Sequence, residues 1–188
     1  MTIDLHLPEA AGWRGLLTQA QQSTGVFLPE AVEEYVVCLL YRMLGSASAE
    51  LSLRSAGFAR QLLNAGAANA RNLAAVGDQS LLFAGLFPDH AIRQRIPLSY
   101  FVQMGQHAYR EHASTVASTE RGLFHALGER FVPTLDVLLN IRELNEGGPC
   151  LDALSAFQLW SEAGSSHGWH TLRQMTSALP AGANSVRH

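Results

Sequence analysis

The sequence contains no lysine, and its thirteen cationic side chains are all arginine. They are scattered from Arg14 to Arg187, and the net charge is −3 at pH 7. Domains that bind nucleic acid usually carry a basic stripe, which this chain lacks. An all-arginine set is typical of phosphate or carboxylate recognition, but the scatter favours the simpler explanation of GC-rich coding. We therefore expect no nucleic-acid partner.

Charged residues of both signs are scarce. They make up 15% of the chain, against about 25% in typical soluble domains. Apolar residues make up 47%, and the mean hydropathy is +0.05. This number of charges is too small to cover the outer face of every helix. Part of the apolar surface should therefore be buried by another molecule. A second copy is the simplest partner, and we predict a homodimer.

Long apolar runs and paired cysteines are also missing. The longest uncharged apolar runs, VVCLLY and SLLFAGLF, fall short of the about 20 residues that cross a bilayer. The two cysteines form no C-x-x-C pair, which excludes the common zinc-knuckle and thioredoxin motifs. Cys38, inside VVCLLY, is predicted to be buried, and Cys150, after GGP, to be exposed in a turn. We expect a reduced cytoplasmic protein without membrane contact.

Helical periodicity is the main pattern that is present. Apolar side chains recur three and four residues apart, and no stretch alternates apolar and polar residues as a half-buried strand would. The sequence predicts an all-α, single-domain helical bundle of six to eight helices over residues 8–176. Residues 1–7 and 177–188 should be flexible termini.

Two of the predicted helices carry specific expectations. A long helix should begin after residues 118–120, and Pro133 should kink it, because proline removes one backbone hydrogen bond and crowds a carbonyl. A short helix over DALSAFQLWSEA should turn Leu154, Phe157 and Trp160 inward.

The stretch VGDQSLLFAGLF, residues 76–87, places polar side chains beside a strongly apolar run. Gly77 could end one helix and Asp78 cap the next. Alternatively, the helix is continuous, Gly77, Ala84 and Gly85 admit a neighbouring helix, and Asp78 or Ser80 bonds to a partner side chain. A catalytic serine is a third interpretation, but the sequence has neither the G-x-S-x-G motif nor a preceding strand. The structural interpretations are favoured.

The same stretch, followed by IPLSYFVQMGQHAY, resembles a family of uncharacterised bacterial helical proteins. The pattern is a Gly-Asp pair, a Ser-Leu pair, a Gly-x-Phe and an aromatic segment ending in Gly-x-x-Ala-Tyr. The matching residues are Gly77, Asp78, Ser80, Leu81, Gly85, Phe87, Tyr100, Gly105, Ala108 and Tyr109. Such proteins favour a second tyrosine where this chain has Phe101. The resemblance implies the helical fold and no activity.

A candidate ligand-binding group follows from this pattern. Tyr100, Gly105 and Tyr109 are predicted to lie against the 76–87 stretch. Asp78 should then accept a hydrogen bond from a tyrosine or an arginine, because a buried carboxylate without a partner costs several kcal/mol. The predicted ligand-binding residues are Asp78, Ser80, Tyr100 and Tyr109.

Eight histidines raise the question of a metal or haem. His107 and Glu111 are four residues apart, as are His125 and Glu129, and we interpret both as surface pairs on helices. Neither the Glu-x-x-His of di-iron bundles nor H-E-x-x-H is present. No metal site and no cofactor are predicted. Haem stays an alternative, because it needs only one imidazole and an apolar slot.

The sequence shows no recognisable catalytic set. We therefore predict a non-enzymatic binding or regulatory module that acts through protein–protein contacts as a homodimer. The alternative is a small-molecule binding protein, with haem among the candidates, or an enzyme, with its pocket between helices near Asp78 and Tyr109. DNA binding through a helix-turn-helix is the weakest hypothesis. It needs salt-sensitive phosphate contacts, and the scattered arginines do not favour them.

Overall fold

A computed structural model describes residues 8–44 and 73–175 of the chain. These residues form helices and no strand, which confirms the predicted all-α bundle. The helices are α1 (Pro8–Thr24), α2 (Glu30–Leu44), α3 (Leu73–Leu86), α4 (Pro88–Arg93), α5 (Leu98–Thr115), α6 (Ser118–Glu129), α7 (Phe131–Glu146), α8 (Ala153–Ala163) and α9 (Ser166–Met175). The predicted flexible termini, residues 1–7 and 177–188, lie outside the described residues.

Helix α3 lies at the centre of the described part. Its apolar side chains point in all directions, as expected for a helix that is buried on every side, and residues from Val76 to Gly85 are largely buried. It packs mainly against α5 and α7. The close approach depends on glycine: a Cβ on Gly77 would stand 2.5 Å from Cε1 of Tyr109, and one on Gly85 would stand 2.7 Å from Cβ of Leu138.

The other helices surround this centre. Helices α1 and α2 pack against each other, and α1 also packs against α7. Helix α6 packs against α5, while α8 and α9 form a pair that contacts α5 through α8 and α7 through α9. None of the helices in the described part is long and apolar enough to cross a bilayer.

The long helix predicted after residues 118–120 is two helices. Helix α6 ends at Glu129, Arg130 takes φ −98° and ψ 15°, and α7 begins at Phe131. Pro133 therefore lies in the first turn of α7, where its missing N–H breaks no hydrogen bond. The expected kink at Pro133 is wrong, because the break falls three residues earlier. This division, with the short helix α4, gives nine helices in the described part, where six to eight were expected.

Helix α8 has a different buried face from the predicted one. Leu154 is 67% exposed and Phe157 is 40% exposed, whereas Ala156 and Leu159 are fully buried. The inward orientation predicted for Leu154 and Phe157 is therefore wrong.

The reason lies in how α8 meets α9. A Cβ on Gly168 would stand 2.7 Å from the carbonyl oxygen of Ala156, so the two backbones nearly touch at two small residues. Trp160 is half-buried, and its ring packs against that of Trp169 with centroids 4.9 Å apart. Contact between small residues, rather than the largest apolar side chains, sets the orientation of α8.

Candidate functional site

Asp78 lies in the middle of the continuous helix α3, which confirms the second interpretation of the 76–87 stretch. The hydroxyl groups of Tyr35 and Tyr109 both donate to its Oδ1, at 2.7 and 2.8 Å. A guanidinium nitrogen of Arg42 lies 3.5 Å from its Oδ2. Helices α2, α3 and α5 are thereby joined through one carboxylate whose side chain is 13% exposed.

The pKa values of Asp78, Tyr35 and Tyr109 are all raised above their ordinary values in water. Burial raises the pKa of Asp78, and hydrogen bonds from Tyr35 and Tyr109 and the charge of Arg42 oppose the rise without cancelling it. Burial, together with the nearby carboxylate, also raises the pKa of both tyrosines. The tyrosines are therefore donors, and the cluster has the character of a structural link between helices.

The predicted ligand-binding residues are only partly brought together. Asp78 and Tyr109 are in contact, as predicted. Ser80 is fully buried and donates to the carbonyl oxygen of Val76 at 2.7 Å. Tyr100 is 41% exposed, and its ring packs against Phe101 with centroids 5.9 Å apart.

Sequence reasoning missed the two partners of Asp78 on α2. Tyr35 belongs to an apolar stripe at helical spacing, and that pattern is typical of core residues. Arg42 lies about two turns further along the same helix. The hydroxyl group of Tyr35, in an otherwise apolar stripe, was the available signal of a polar contact, because a buried tyrosine hydroxyl needs a hydrogen-bond partner.

The pH dependence of stability should reveal the carboxyl group of Asp78. Because folding raises its pKa, this group stabilises the fold below its ordinary pKa, and that contribution is lost as the pH rises through the folded-state pKa. Asp78→Asn removes the titration and keeps an oxygen that can accept from the tyrosines. We expect the unfolding free energy of the wild type, minus that of Asp78→Asn, to fall as the pH rises above 3.8, the ordinary pKa of an aspartate.

Urea denaturation at several pH values measures this difference, and groups common to both proteins cancel. A difference that rises with pH would show that folding lowers the pKa of Asp78. Tyr41→Phe, on the same helix as Tyr35, provides a control. Adding it to both proteins should leave the difference between them unchanged at every pH.

A second candidate site is a polar cleft of about 180 Å³ between the end of α1 and helices α7 and α9. Its lining includes Thr24, Asn140, Glu143, His167 and His170. Asn140 and Glu143 lie three residues apart on α7, and His167 and His170 lie three apart on α9, so each pair shares one helix face. Oδ1 of Asn140 is buried and has no hydrogen-bond partner among the described residues.

Asp136 fixes the position of α9 beside this cleft. This carboxylate is 2% exposed and lies on α7. It accepts hydrogen bonds from the hydroxyl groups of Ser165 and Ser166, at 2.5 and 2.7 Å, and from the backbone N–H groups of Ser166 and His167, at 2.9 and 3.3 Å. A side chain of one helix thus caps the amino terminus of another, which the positive end of the helix dipole favours.

This cap places the ring of His167 against Glu143. Nε2 of His167 lies 3.1 Å from Oε1 of Glu143, and the backbone N–H of Cys150 donates to the same oxygen at 3.0 Å. The Cys150 sulfur, one Glu143 oxygen and one His167 nitrogen all lie within 4.8 Å of one another. These are the atoms of the described chain that could hold a metal ion.

The surroundings change the pKa of Cys150 and that of Glu143 in opposite directions. Burial raises the pKa of the Cys150 thiol, and the charge of Glu143 adds to the rise. Burial also acts to raise the pKa of Glu143, but the hydrogen bond and charge of His167, with the N–H of Cys150, outweigh it and lower that pKa. Glu143 is therefore held as a carboxylate beside a protonated thiol.

Sequence reasoning missed this cluster. Its members are 7 and 17 residues apart in the chain and fit no metal-binding motif. Cys150 was predicted to be exposed, and this is wrong, since it is 8% exposed, whereas Cys38, predicted to be buried, is half-buried.

The predicted surface pairs of histidine and glutamate are indeed at the surface. His107, Glu111, His125 and Glu129 are all exposed. Glu129 pairs with Arg110, whose Nε lies 3.2 Å from its Oε1.

Compared with protein-family models, curated proteins and solved structures, the chain matches none of them. The resemblance to bacterial helical proteins therefore stays a prediction. A function for this chain has to be argued from the contacts and surfaces of its own residues.

Proposed function

We propose that this protein is a non-enzymatic helical binding module that acts through protein–protein contacts as a homodimer. The observation that carries the proposal is the exposed apolar face of α8, formed by Leu154 and Phe157. Large apolar side chains of an amphipathic helix normally face its own core. Their exposure to water is costly in an isolated subunit. Their burial against a partner is favourable.

The exposed face continues into a groove of about 250 Å³ between α8 and the connection from α4 to α5. Ile92, Ile96 and Pro97 line the groove opposite Leu154. An apolar centre of this kind is typical of the core of a protein interface. A side chain such as Phe157 of a second copy has the size and polarity to enter it.

Charges on the groove favour a second copy as the partner. Arg95 and Asp152 both line it and carry opposite charges. In a twofold interface the same patch meets itself, so each charge can face its opposite on the partner. A patch that carries both signs is therefore self-complementary, which supports a homodimer over an oppositely charged foreign protein.

The alternative, a ligand pocket or enzyme site near Asp78 and Tyr109, has less support. Both oxygens of Asp78 already have partners on the protein, from Tyr35, Tyr109 and Arg42. A ligand would have to displace one of these groups.

Leu154→Glu should convert the homodimer into a monomer. The substitution places a charge in the apolar centre of the interface, where desolvation without a partner is costly. We expect the dissociation constant to rise by more than about 100-fold, equivalent to about 2.7 kcal/mol. Size-exclusion chromatography with light scattering over a concentration series measures it.

Phe27→Glu is the matched control, since Phe27 is 72% exposed on the connection between α1 and α2 and not on α8. It should leave the dimer intact. A wild-type chain that stays monomeric at high micromolar concentration would refute the homodimer. A monomer produced by Phe27→Glu alone would place the interface elsewhere.

A further inference from the structure

Going beyond a role in protein contacts, we propose that Glu143, Cys150 and His167 bind a zinc ion. One carboxylate oxygen, one thiolate sulfur and one imidazole nitrogen would be its protein ligands. The fourth position would face the polar cleft and hold a water molecule or a small ligand.

The chemistry of the donor set favours zinc. Zn²⁺ binds cysteine sulfur, histidine nitrogen and carboxylate oxygen, whereas Mg²⁺ and Ca²⁺ select oxygen ligands. Three protein ligands with one open position are typical of catalytic zinc sites, and four protein ligands of structural ones. The group formed by Glu143, Cys150 and His167 belongs to the first pattern.

The distances are close to those of a tetrahedral site. Zinc–ligand bonds of about 2.0–2.3 Å place ligand atoms about 3.3–3.8 Å apart. The contact between Glu143 and His167 is 3.1 Å, and the three ligand atoms lie within 4.8 Å. Small side-chain rotations therefore suffice to bring the three atoms around one ion.

The surroundings hold the ligands in place. Asp136 caps the helix that carries His167, and the backbone N–H of Cys150 is bonded to Glu143. His167 is 6% exposed and Cys150 is 8% exposed. Outer contacts that orient metal ligands are a regular part of metal sites, and burial protects the ion from competing solvent.

The cleft supplies an independent observation. It is lined by Glu143 and His167 and also by Asn140, whose buried Oδ1 has no hydrogen-bond partner among the described residues. A buried acceptor of this kind normally has a partner. A donor held in this cleft would satisfy it.

Binding replaces a proton with the metal ion. The sulfur of Cys150 loses its proton to solvent and gives a lone pair to the ion. Nε2 of His167 donates to Glu143 before binding, so its proton must move to Nδ1 of the same ring or to solvent before this nitrogen can bind the ion. The proton of Cys150 is released for each ion bound, together with a second one where the ring of His167 starts protonated on both nitrogens, and the oxidation state of the metal does not change.

Titration of the reduced full-length protein with Co²⁺ tests the proposal. Cobalt reports zinc-type sites, because tetrahedral Co²⁺ absorbs strongly in the visible range and a cobalt–thiolate bond adds a charge-transfer band in the near ultraviolet. We expect both signals to saturate at one equivalent and to disappear when Zn²⁺ is added.

Two cysteine variants locate the ion. Cys150→Ser should abolish the charge-transfer band and weaken binding by more than about 100-fold, more than the loss of an outer contact usually costs. Cys38→Ser, which removes the half-buried cysteine of α2, should retain the band and the affinity. His167→Gln keeps both cysteines and should weaken cobalt binding to a similar extent, which covers the case of a poorly folded Cys150→Ser.

The outcomes separate clearly. Wild-type protein without a charge-transfer band at one equivalent of Co²⁺ would overturn the proposal. So would a band that survives in Cys150→Ser or disappears in Cys38→Ser, and so would unchanged affinity in His167→Gln. None of these results bears on the homodimer, because the cleft and the groove on α8 are lined by different residues.

Discussion

Asp136→Ala should lower the free energy of unfolding by about 3–5 kcal/mol, because two backbone N–H groups and two hydroxyls lose a buried acceptor. A buried donor left without a partner costs about 1–3 kcal/mol. Water cannot easily replace the carboxylate, which is 2% exposed. Helix α9 would also lose the negative charge at its positive end.

Asp152→Ala is the matched control. Asp152 caps α8 through one hydrogen bond from the N–H of Ser155, at 2.7 Å, but it is exposed. Because Asp152 also lines the groove proposed as the interface, both variants are compared in the Leu154→Glu background. There its loss should cost only about 1 kcal/mol, since water can solvate the freed N–H. Urea unfolding monitored by circular dichroism measures both variants. Equal costs would show that burial of Asp136 does not determine its effect.

Gly105→Ala should destabilise the fold by about 1–3 kcal/mol, although alanine is the better helix former. Gly105 lies in α5 where that helix meets α3 and α7. Its added Cβ would collide with the ring of Phe131 and stand 3.0 Å from Cβ of Ser80. Phe131 is fully buried, so its ring has no free space into which to move.

Gly122→Ala gives the opposite result in the same measurement. Gly122 is also inside a helix, α6, but an added Cβ would meet nothing within 4 Å. This substitution should raise the unfolding free energy by about 0.5–1 kcal/mol through the lower entropy of the unfolded chain. A stabilising effect of Gly105→Ala would mean that α3 and α5 are not in such close contact.

The sequence predicts the fold class well because helical periodicity is a local property. The helix ends marked by Pro88, Pro97 and Gly147 follow from local backbone chemistry in the same way. The orientation of α8 is not local. It depends on contact between Ala156 and Gly168, and a pattern of large apolar residues carries no information about where two small residues meet.

The candidate sites show the same limit. Asp78 could be singled out because a charge inside an apolar helix needs a partner, and a tyrosine on α5 was correctly expected to supply it. The second tyrosine, Tyr35, comes from a helix 43 residues earlier in the chain. The group around Glu143 depends on the Asp136 cap and on the turn at Cys150, neither of which corresponds to a known sequence motif.

The packed indole rings of Trp160 and Trp169 give the molecule an optical signal of its own. Two indoles with centroids 4.9 Å apart and planes 33° apart are close enough for their excited states to couple. The coupled circular-dichroism bands would depend on the distance between α8 and α9. Loss of those bands, with most of the helical signal retained, would identify separation of the last helix as an early step in unfolding.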